Sequence, residues 1–238
     1  MGESNNVSKA EKIKALKEMA DNQKSIIKKH TDNGVMFLDP STVFISPQAK
    51  IGKDTIIYGG VLIEGDTVIG DSCEIGPDSR LVEAKISDWA EVSYSVVLKS
   101  AVGESSSVGP FAYVRPGSVI GAHVKVGDFV EVKNSVIGDN TKISHLAYVG
   151  DSDFGKGINF SCGAITSNYD GKNKFRTTVG DGVFVGCNTN LVSPVKVGEN
   201  AFIAAGSTIS EDIPDEGFSI ARAKQINKSG WVKPKDRA

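Results

Sequence analysis

The stretch ISPQAKIGKDTIIYGGVLIEGDTVIGDSCEI, residues 45–75, puts an isoleucine at every sixth position: Ile45, Ile51, Ile57, Ile63, Ile69 and Ile75. Neither the 3.6-residue period of a helix nor the alternation of a long strand produces a six-residue repeat. The pattern continues at Leu81, slips by one at Ile86, and runs on through Val92, Val97, Val102, Val108, Val114, Ile120, Val126 and Val132. After a second slip it passes Ile137, Ile143, Val149, Phe154, Phe160 and Thr166, then resumes at Val179, Val185, Leu191, Val197, Ile203 and Ile209. Each hexad reads as a short strand that turns one apolar side chain into a central core. Three hexads make a triangular coil, giving roughly nine coils by the logic of stacked repeats. Gly directly follows many of these residues, as in Ile51-Gly52, Ile69-Gly70, Val126-Gly127 and Val197-Gly198. It is expected there to free the backbone for the next corner.

The predicted fold is therefore mainly β, a parallel β-helix of hexapeptide repeats spanning 34–213. The periodicity does not set the hand of the coils, and the usual preference for right-handed crossovers would favour the right-handed one. Before it, Ser8 to Lys29 reads as a helix within an N-terminal segment 1–33. Ser8 and Glu11 make a capping box, Ile13, Leu16, Ala20 and Ile27 give an apolar face, and Gly34 stops it. Beyond Pro214 lies an arm, 214–238, that is basic from Gly217 on (Arg222, Lys224, Lys228, Lys233, Lys235 and Arg237) and carries Trp231.

Composition narrows the function. The 238 residues include 26 Gly, carry 7% aromatics and have a formal charge of −2, which argues against a nucleic-acid binder with a basic face. No apolar run is long enough to cross a membrane, and Met1 to Asn6 is polar with no apolar stretch behind it, so the expected location is the cytoplasm. The three Cys have no paired C-x-x-C spacing and read as free thiols. The only His are His30, which falls in the helix, and His123 and His145, which leaves too few on the prism for a three-His metal site, so no metal is expected.

The repeat is broken most between Thr166 and Val179, where thirteen positions stand in place of six. The insertion, an excess of seven positions, contains Ser167 to Phe175, a polar loop thrown out of a rigid stack and a natural place for function. The register makes a geometric prediction as well. Val126, Ile143, Phe160, Val185 and Ile203 form one column, and two residues after each come Asp128, His145, Cys162, Cys187 and Ala205. One edge of the prism thus carries a His with a carboxylate below it, a pairing suited to a general base near neutral pH. Glu131, Lys133, Tyr148 and Asn159 lie near in sequence, with Arg115 earlier; Lys and Arg converging there would suit a phosphate. Cys162 and Cys187 are close enough to be redox partners, or serve as small polarizable wall residues, and Cys73 falls on an inward core position.

Several long segments resemble the acetyltransferase half of the bacterial bifunctional N-acetylglucosamine-1-phosphate uridyltransferase/glucosamine-1-phosphate acetyltransferases. They are Gly-Pro-Phe-Ala-Tyr-Val-Arg-Pro-Gly (109–117), Gly-Asp-Phe-Val-Glu-Val-Lys (127–133), His-Leu-Ala-Tyr-Val-Gly-Asp (145–151), Asn-Tyr-Asp-Gly-Lys-Asn-Lys-Phe (168–175), Val-Phe-Val-Gly (183–186) and Gln-Ile-Asn-Lys-Ser-Gly-Trp (225–231). The resemblance implies left-handed coils, a homotrimer with sites between prisms, and acetyl transfer from acetyl-CoA to glucosamine 1-phosphate, a step toward UDP-N-acetylglucosamine and cell-wall precursors. It assigns His145 as the base, with Glu131 the preferred residue to orient it and Asp128 the second choice. It puts Arg115, Lys133, Tyr148, Asn159 and Lys174 on the amino-sugar phosphate and its hydroxyls. Asn168 and Tyr169 fall beside the acetyl group, and Cys162, Cys187, Ala204 and Arg222 line the acetyl-CoA site. The departures, Ser161, Cys162 and Cys187 where the family has Gly, Ala and Ser, fall on the cofactor side. Asp128 replaces the usual Asn.

No Gly-rich nucleotide loop with a following Lys precedes residue 40, so nucleotide transfer and its Mg²⁺ are not expected from this sequence. The N-terminal helix resembles the family's linker helix, which suggests a separate uridyltransferase as a partner. Two other readings remain open: a different amino-sugar acceptor, and a non-catalytic trimeric scaffold or regulatory partner.

Overall fold

A computed structural model describes residues 9–231, with side chains from residue 21 onward. The predicted capping residue Ser8 and the basic Lys233, Lys235 and Arg237 lie outside the described residues, as do the side chains of Glu11, Ile13, Leu16 and Ala20.

All 28 residues of the six-residue pattern are buried, from Ile45 at 0% exposure to Ile51 at 9%. All but Thr166 belong to one continuous hydrophobic core running the length of a prism. Truncating one such side chain, Ile143→Ala for example, opens a cavity where the coil above and the coil below cannot close it, at a cost of about 2–5 kcal/mol. The chain winds left-handed around this core in about ten turns. Two strands absent from the sequence pattern add to it: Met36–Phe37 pairs with Ile56–Ile57 above, and Phe218–Ser219 pairs with Phe202–Ile203 below. All named strands pair in parallel, each with its counterpart one coil away, and Lys50–Ile51 begins the nine-stranded third face. The other two faces merge because Lys125–Lys133 and Lys142–Gly150 run unbroken around one corner, in register from Lys125↔Lys142 to Lys133↔Gly150.

The glycines that follow the core residues do something other than expected. Gly52, Gly70, Gly127 and Gly198 all lack positive φ. A Cβ on Gly127 would run into the Ser144 carbonyl of the next coil, and one on Gly52 into the Gly70 carbonyl. These positions need Gly because adjacent coils approach closely, not because the backbone turns. Among the described residues the left-handed conformation is carried by other glycines, such as Gly60, Gly163 and Gly182, and by eighteen non-glycine residues, among them Asp54, Ser72, Trp89, Ser105, His123 and Asn140. Regular backbone pairing to the coils on both sides holds them in a region that costs an isolated residue about 1 kcal/mol.

Helix α1 (Lys9–Asp32) ends as Gly34 requires. With φ +92°, Gly34 lets its N–H reach Thr31 O at 3.0 Å while Val35 N reaches His30 O at 3.0 Å, the paired bonds of a Schellman ending. Ile26 and Ile27 pack against the core. Gln23 treats the open end of the prism as a strand would: its Nε2 donates to Ile45 O and its Oε1 accepts from Ile45 N, both at 2.9 Å. No described helix is long and apolar enough to cross a membrane.

Candidate active site

The strands Lys125–Lys133 and Lys142–Gly150 fix the site because they share one register around a corner. Asp128 pairs with His145 in that register, and the Asp128 Oδ1 lies 2.6 Å from His145 Nδ1. Both side chains are open to solvent. The hydrogen bond from the imidazole holds the Asp128 carboxyl below the ordinary carboxylate range. A carboxylate on Nδ1 favours the tautomer that leaves Nε2 a free lone pair, the form a base needs.

Glu131 does not orient His145. It sits three residues farther along, opposite Tyr148, where its Oε1 accepts from Arg115 Nη1 at 2.8 Å. That ion pair pushes the Arg115 guanidinium above its already high value. The residue preferred from the resemblance is thus in place but engaged elsewhere, and the second choice has the contact. Strand register decides it: Asp128 lies directly opposite His145, whereas Glu131 lies opposite Tyr148, three residues farther on.

Next to Glu131, a buried carboxylate organises the rest. Asp151, 7% exposed, accepts from Lys133 Nζ at 2.8 Å, from Asn134 Nδ2 at 2.6 Å and from the Asn168 amide. Burial alone would raise its pKa, but these donors together draw it below the ordinary range. Asn168, itself 7% exposed, therefore turns its amide inward rather than toward an open acetyl position. No motif marks Asp151 in the sequence beyond its place at the end of the 145–151 segment; only the register, which lays Lys133 opposite Gly150, brings the two together.

The inserted loop is ordered. Tyr169 and Lys174 bridge as a small antiparallel turn, Phe175 N donates to Asn168 O at 2.9 Å, and Asp170 Oδ1 accepts from Lys172 N at 2.8 Å. At its exit Arg176 grips Asp153 through Nε at 2.5 Å and Nη2 at 2.6 Å, and donates to Asn134 O and Ser152 O at 3.1 Å each. The turn so fixed returns Lys174 to Lys133. The neighbouring ammonium lowers the Lys174 pKa. Among the described residues Lys174 has no salt-bridge partner, whereas Arg115 and Lys133 each have one. Tyr148 lies on the strand Lys142–Gly150, its phenol and the Asn168 amide crowded against Gly150 so closely that a Cβ on Gly150 would strike both.

Higher on the prism, the His145 column continues as expected. Gly163 N donates to Leu146 O and Asn188 N to Cys162 O, both at 2.9 Å, which places Cys162 over His145 and Cys187 over Cys162, with both thiols exposed. Asn159 donates through Nδ2 to Ser161 Oγ at 2.9 Å. Ala204 is buried beside the column, and Arg222 reaches back from the arm to donate to Ala205 O at 2.9 Å. That anchor lies three coils, roughly 14 Å, from His145. Tyr169 stands exposed on the loop, its hydroxyl donating to Gly171 O at 2.6 Å. Cys73, by contrast, is core at 1% exposure. No cluster of His, Cys, Asp or Glu able to hold a metal ion occurs among the described residues.

Comparison with known proteins gives this geometry its context. Residues 40–150 match the family model of the GMPPB C-terminal domain, and residues 176–211 the bacterial transferase hexapeptide model of six repeats. The bifunctional protein GlmU of Clostridium kluyveri is 55% identical over 207 residues, covering 87% of this chain and 45% of that protein. The GlmU of Acetivibrio thermocellus is 57% identical over the same coverage. The chain spans about half the length of the curated relatives it matches. A solved UDP-N-acetylglucosamine acyltransferase from Campylobacter jejuni shares the fold, with a TM-score of 0.50 at 20% identity over 76% of this chain and 70% of that one.

Proposed function

We propose that this hexapeptide-repeat chain, a relative of the C-terminal half of the bifunctional GlmU proteins, transfers an acetyl group from acetyl-CoA to the 2-amino group of glucosamine 1-phosphate. The observation that carries the reading is the juxtaposition of a carboxylate-oriented His145 and a cluster of three cations in which Lys174, on the inserted loop, faces Lys133 without an anion of its own among the described residues. A phosphate is the group that would relieve that repulsion, and Arg115 and Lys133 supply the adjoining donors.

In this reading His145 Nε2 takes a proton from the amine as the amine nitrogen attacks the thioester carbonyl. The tetrahedral intermediate collapses to the amide, and the CoA sulfur leaves and is protonated. Asp128 keeps Nδ1 protonated and steadies the positive charge on the ring in the transition state. Tyr148 and Asn159 meet the sugar hydroxyls. Asn168, bound to Asp151, holds the loop so that Tyr169 and Lys174 face the substrates. Cys162, Cys187, Ala204 and Arg222 wall the donor, whose acyl carbon must reach His145 from the Arg222 end of the column. The exposure of His145 fits a site closed by a neighbouring copy, and a trimer with clefts between prisms is part of the proposal. A cytoplasmic location and a separate uridyltransferase partner are further parts of the proposal.

The test is release of free CoA thiol from acetyl-CoA with glucosamine 1-phosphate. Release that disappears in His145→Ala supports the reading. A folded protein that releases no thiol with glucosamine 1-phosphate, but does with another amine, would transfer the same site to that acceptor; none with any amine leaves the scaffold.

A further inference from the structure

Cys162 and Cys187 lie one above the other on the outer edge of the prism. Their coils are bonded in register on both sides: Ser161 N donates to Val185 O at 3.1 Å and Asn188 N to Cys162 O at 2.9 Å. The pairs Asn159↔Phe184 and Phe160↔Val185 fix the same alignment. Residues so aligned on neighbouring strands have Cα atoms about 4.8 Å apart. That spacing falls inside the range of about 4.4–6.8 Å over which a disulfide closes. Both thiols are exposed, and both occupy the same position in their coil, so they leave the prism on the same side. The third thiol is the contrast. Cys73 is 1% exposed, its Sγ donates to Ser87 O at 3.1 Å, and burial raises its pKa, so it stays protonated and inert.

We propose that Cys162 and Cys187 form a redox-active dithiol, closing to a disulfide by exchange with a small-molecule disulfide, on the edge directly above His145. One thiolate attacks a sulfur of R–S–S–R; that S–S bond breaks and the first RS⁻ leaves. The second thiolate attacks the protein sulfur of the mixed disulfide, forming the Cys162–Cys187 bond and expelling the second RS⁻. The two protein thiols lose two electrons and two protons, and R–S–S–R gains both and departs as two RSH. The cross-link brackets residues 162–187, the segment that carries Asn168, Tyr169 and Lys174. On the proposed function it also alters the wall beside the acetyl donor, so the oxidised protein loses acetyl transfer and a dithiol reductant restores it. That consequence rests on the proposed function; the disulfide itself does not.

The experiment is incubation of the full chain with oxidised glutathione, removal of excess, and intact-mass and peptide analysis without reduction. The expected result is a mass lower by two hydrogens, two of three thiols closed to alkylation, and a linked Cys162–Cys187 peptide. Cys73→Ala should give the same link, and Cys187→Ser only a glutathione adduct. Glutathione adducts on both cysteines of the unaltered protein, links between chains, or three free thiols would overturn the proposal. Reduced protein with no acetyl transfer to any amine, yet a clean Cys162–Cys187 link, would sink the proposed function and leave the dithiol standing.

Discussion

His145 stands one coil above Asp128, with its Nδ1 2.6 Å from the Asp128 carboxylate, while Glu131 three residues on is held by Arg115 at 2.8 Å. The two carboxylates therefore have different duties although they lie on one strand. Removing His145 should lower the turnover of acetyl transfer by about 10²–10⁴-fold, the usual worth of a general base. Asp128→Ala should lower turnover less and leave the KM for the amino sugar nearly unchanged. Glu131→Gln should act the other way, weakening amino-sugar binding through Arg115. Steady-state kinetics on the three variants decides the assignment, and a turnover loss larger in Glu131→Gln than in Asp128→Ala would reverse it.

Lys174 offers a sharper test of the acceptor. It sits beside Lys133 with a lowered pKa and no salt-bridge partner among the described residues. Lys174→Gln removes one charge-assisted contact to a phosphate, worth about 1.5–3 kcal/mol. That corresponds to a rise in KM for glucosamine 1-phosphate of roughly tenfold to a hundredfold. The KM for an unphosphorylated amino sugar should stay where it is. Equal losses with both acceptors would show that Lys174 does not meet the phosphate.

Asp151 links the site to acid stability. Its carboxylate is stabilised by Asn134, Lys133 and Asn168 against the penalty of burial, so its pKa in the folded chain is below that of the unfolded chain. A depressed pKa contributes stability that is present in full above the unfolded value, about 3.9, and is lost as pH falls through the folded one. In Asp151→Asn the acid limb of a melting-temperature profile should flatten. Near neutral pH the variant should be less stable by about 1–3 kcal/mol, because Lys133 is left half-buried without its anion. An unchanged acid limb would mean that other carboxylates, such as Asp153 with Arg176, carry the acid sensitivity.

Gly150 is a steric gate on the same group. A methyl there would press on the Tyr148 phenol and the Asn168 amide, and Asn168 is fixed by Asp151. Gly150→Ala should cost about 1–3 kcal/mol by overpacking. It should also raise the KM for the amino sugar, since Tyr148 must move. Thermal melts and kinetics check both, and a variant with wild-type KM would show that Tyr148 does not touch the acceptor.

The sequence revealed the prism, though not its hand, through residues such as Ile45, Ile63 and Val185, because a core position repeated every six residues implies stacked coils and each repeat confirms the others. It revealed the His145 column by the same arithmetic. Asp151 and the choice between Asp128 and Glu131 were less legible, since they depend on which side chains meet across a coil, and spacing along the chain ranks such neighbours poorly. The role of the glycines is hidden for a related reason. Gly after Ile looks like a turn residue until the Gly70 carbonyl of the adjoining coil is seen to occupy the space a Cβ on Gly52 would need. The loop's order was hidden as well, because Arg176 reaches back to Asn134, forty-two residues away.

Gln23 has a bearing on how such molecules coexist in solution. A parallel prism is open at each end, where a row of unpaired backbone groups can accept another chain's strand. By meeting both the N–H and the C=O of Ile45 with one amide, Gln23 occupies that template at its first coil. Gln23→Ala would uncover it, and concentration-dependent light scattering would then report end-to-end growth into filaments. On that expectation the helix at the start of the repeat works as a stopper, keeping a one-dimensional architecture from becoming a fibre.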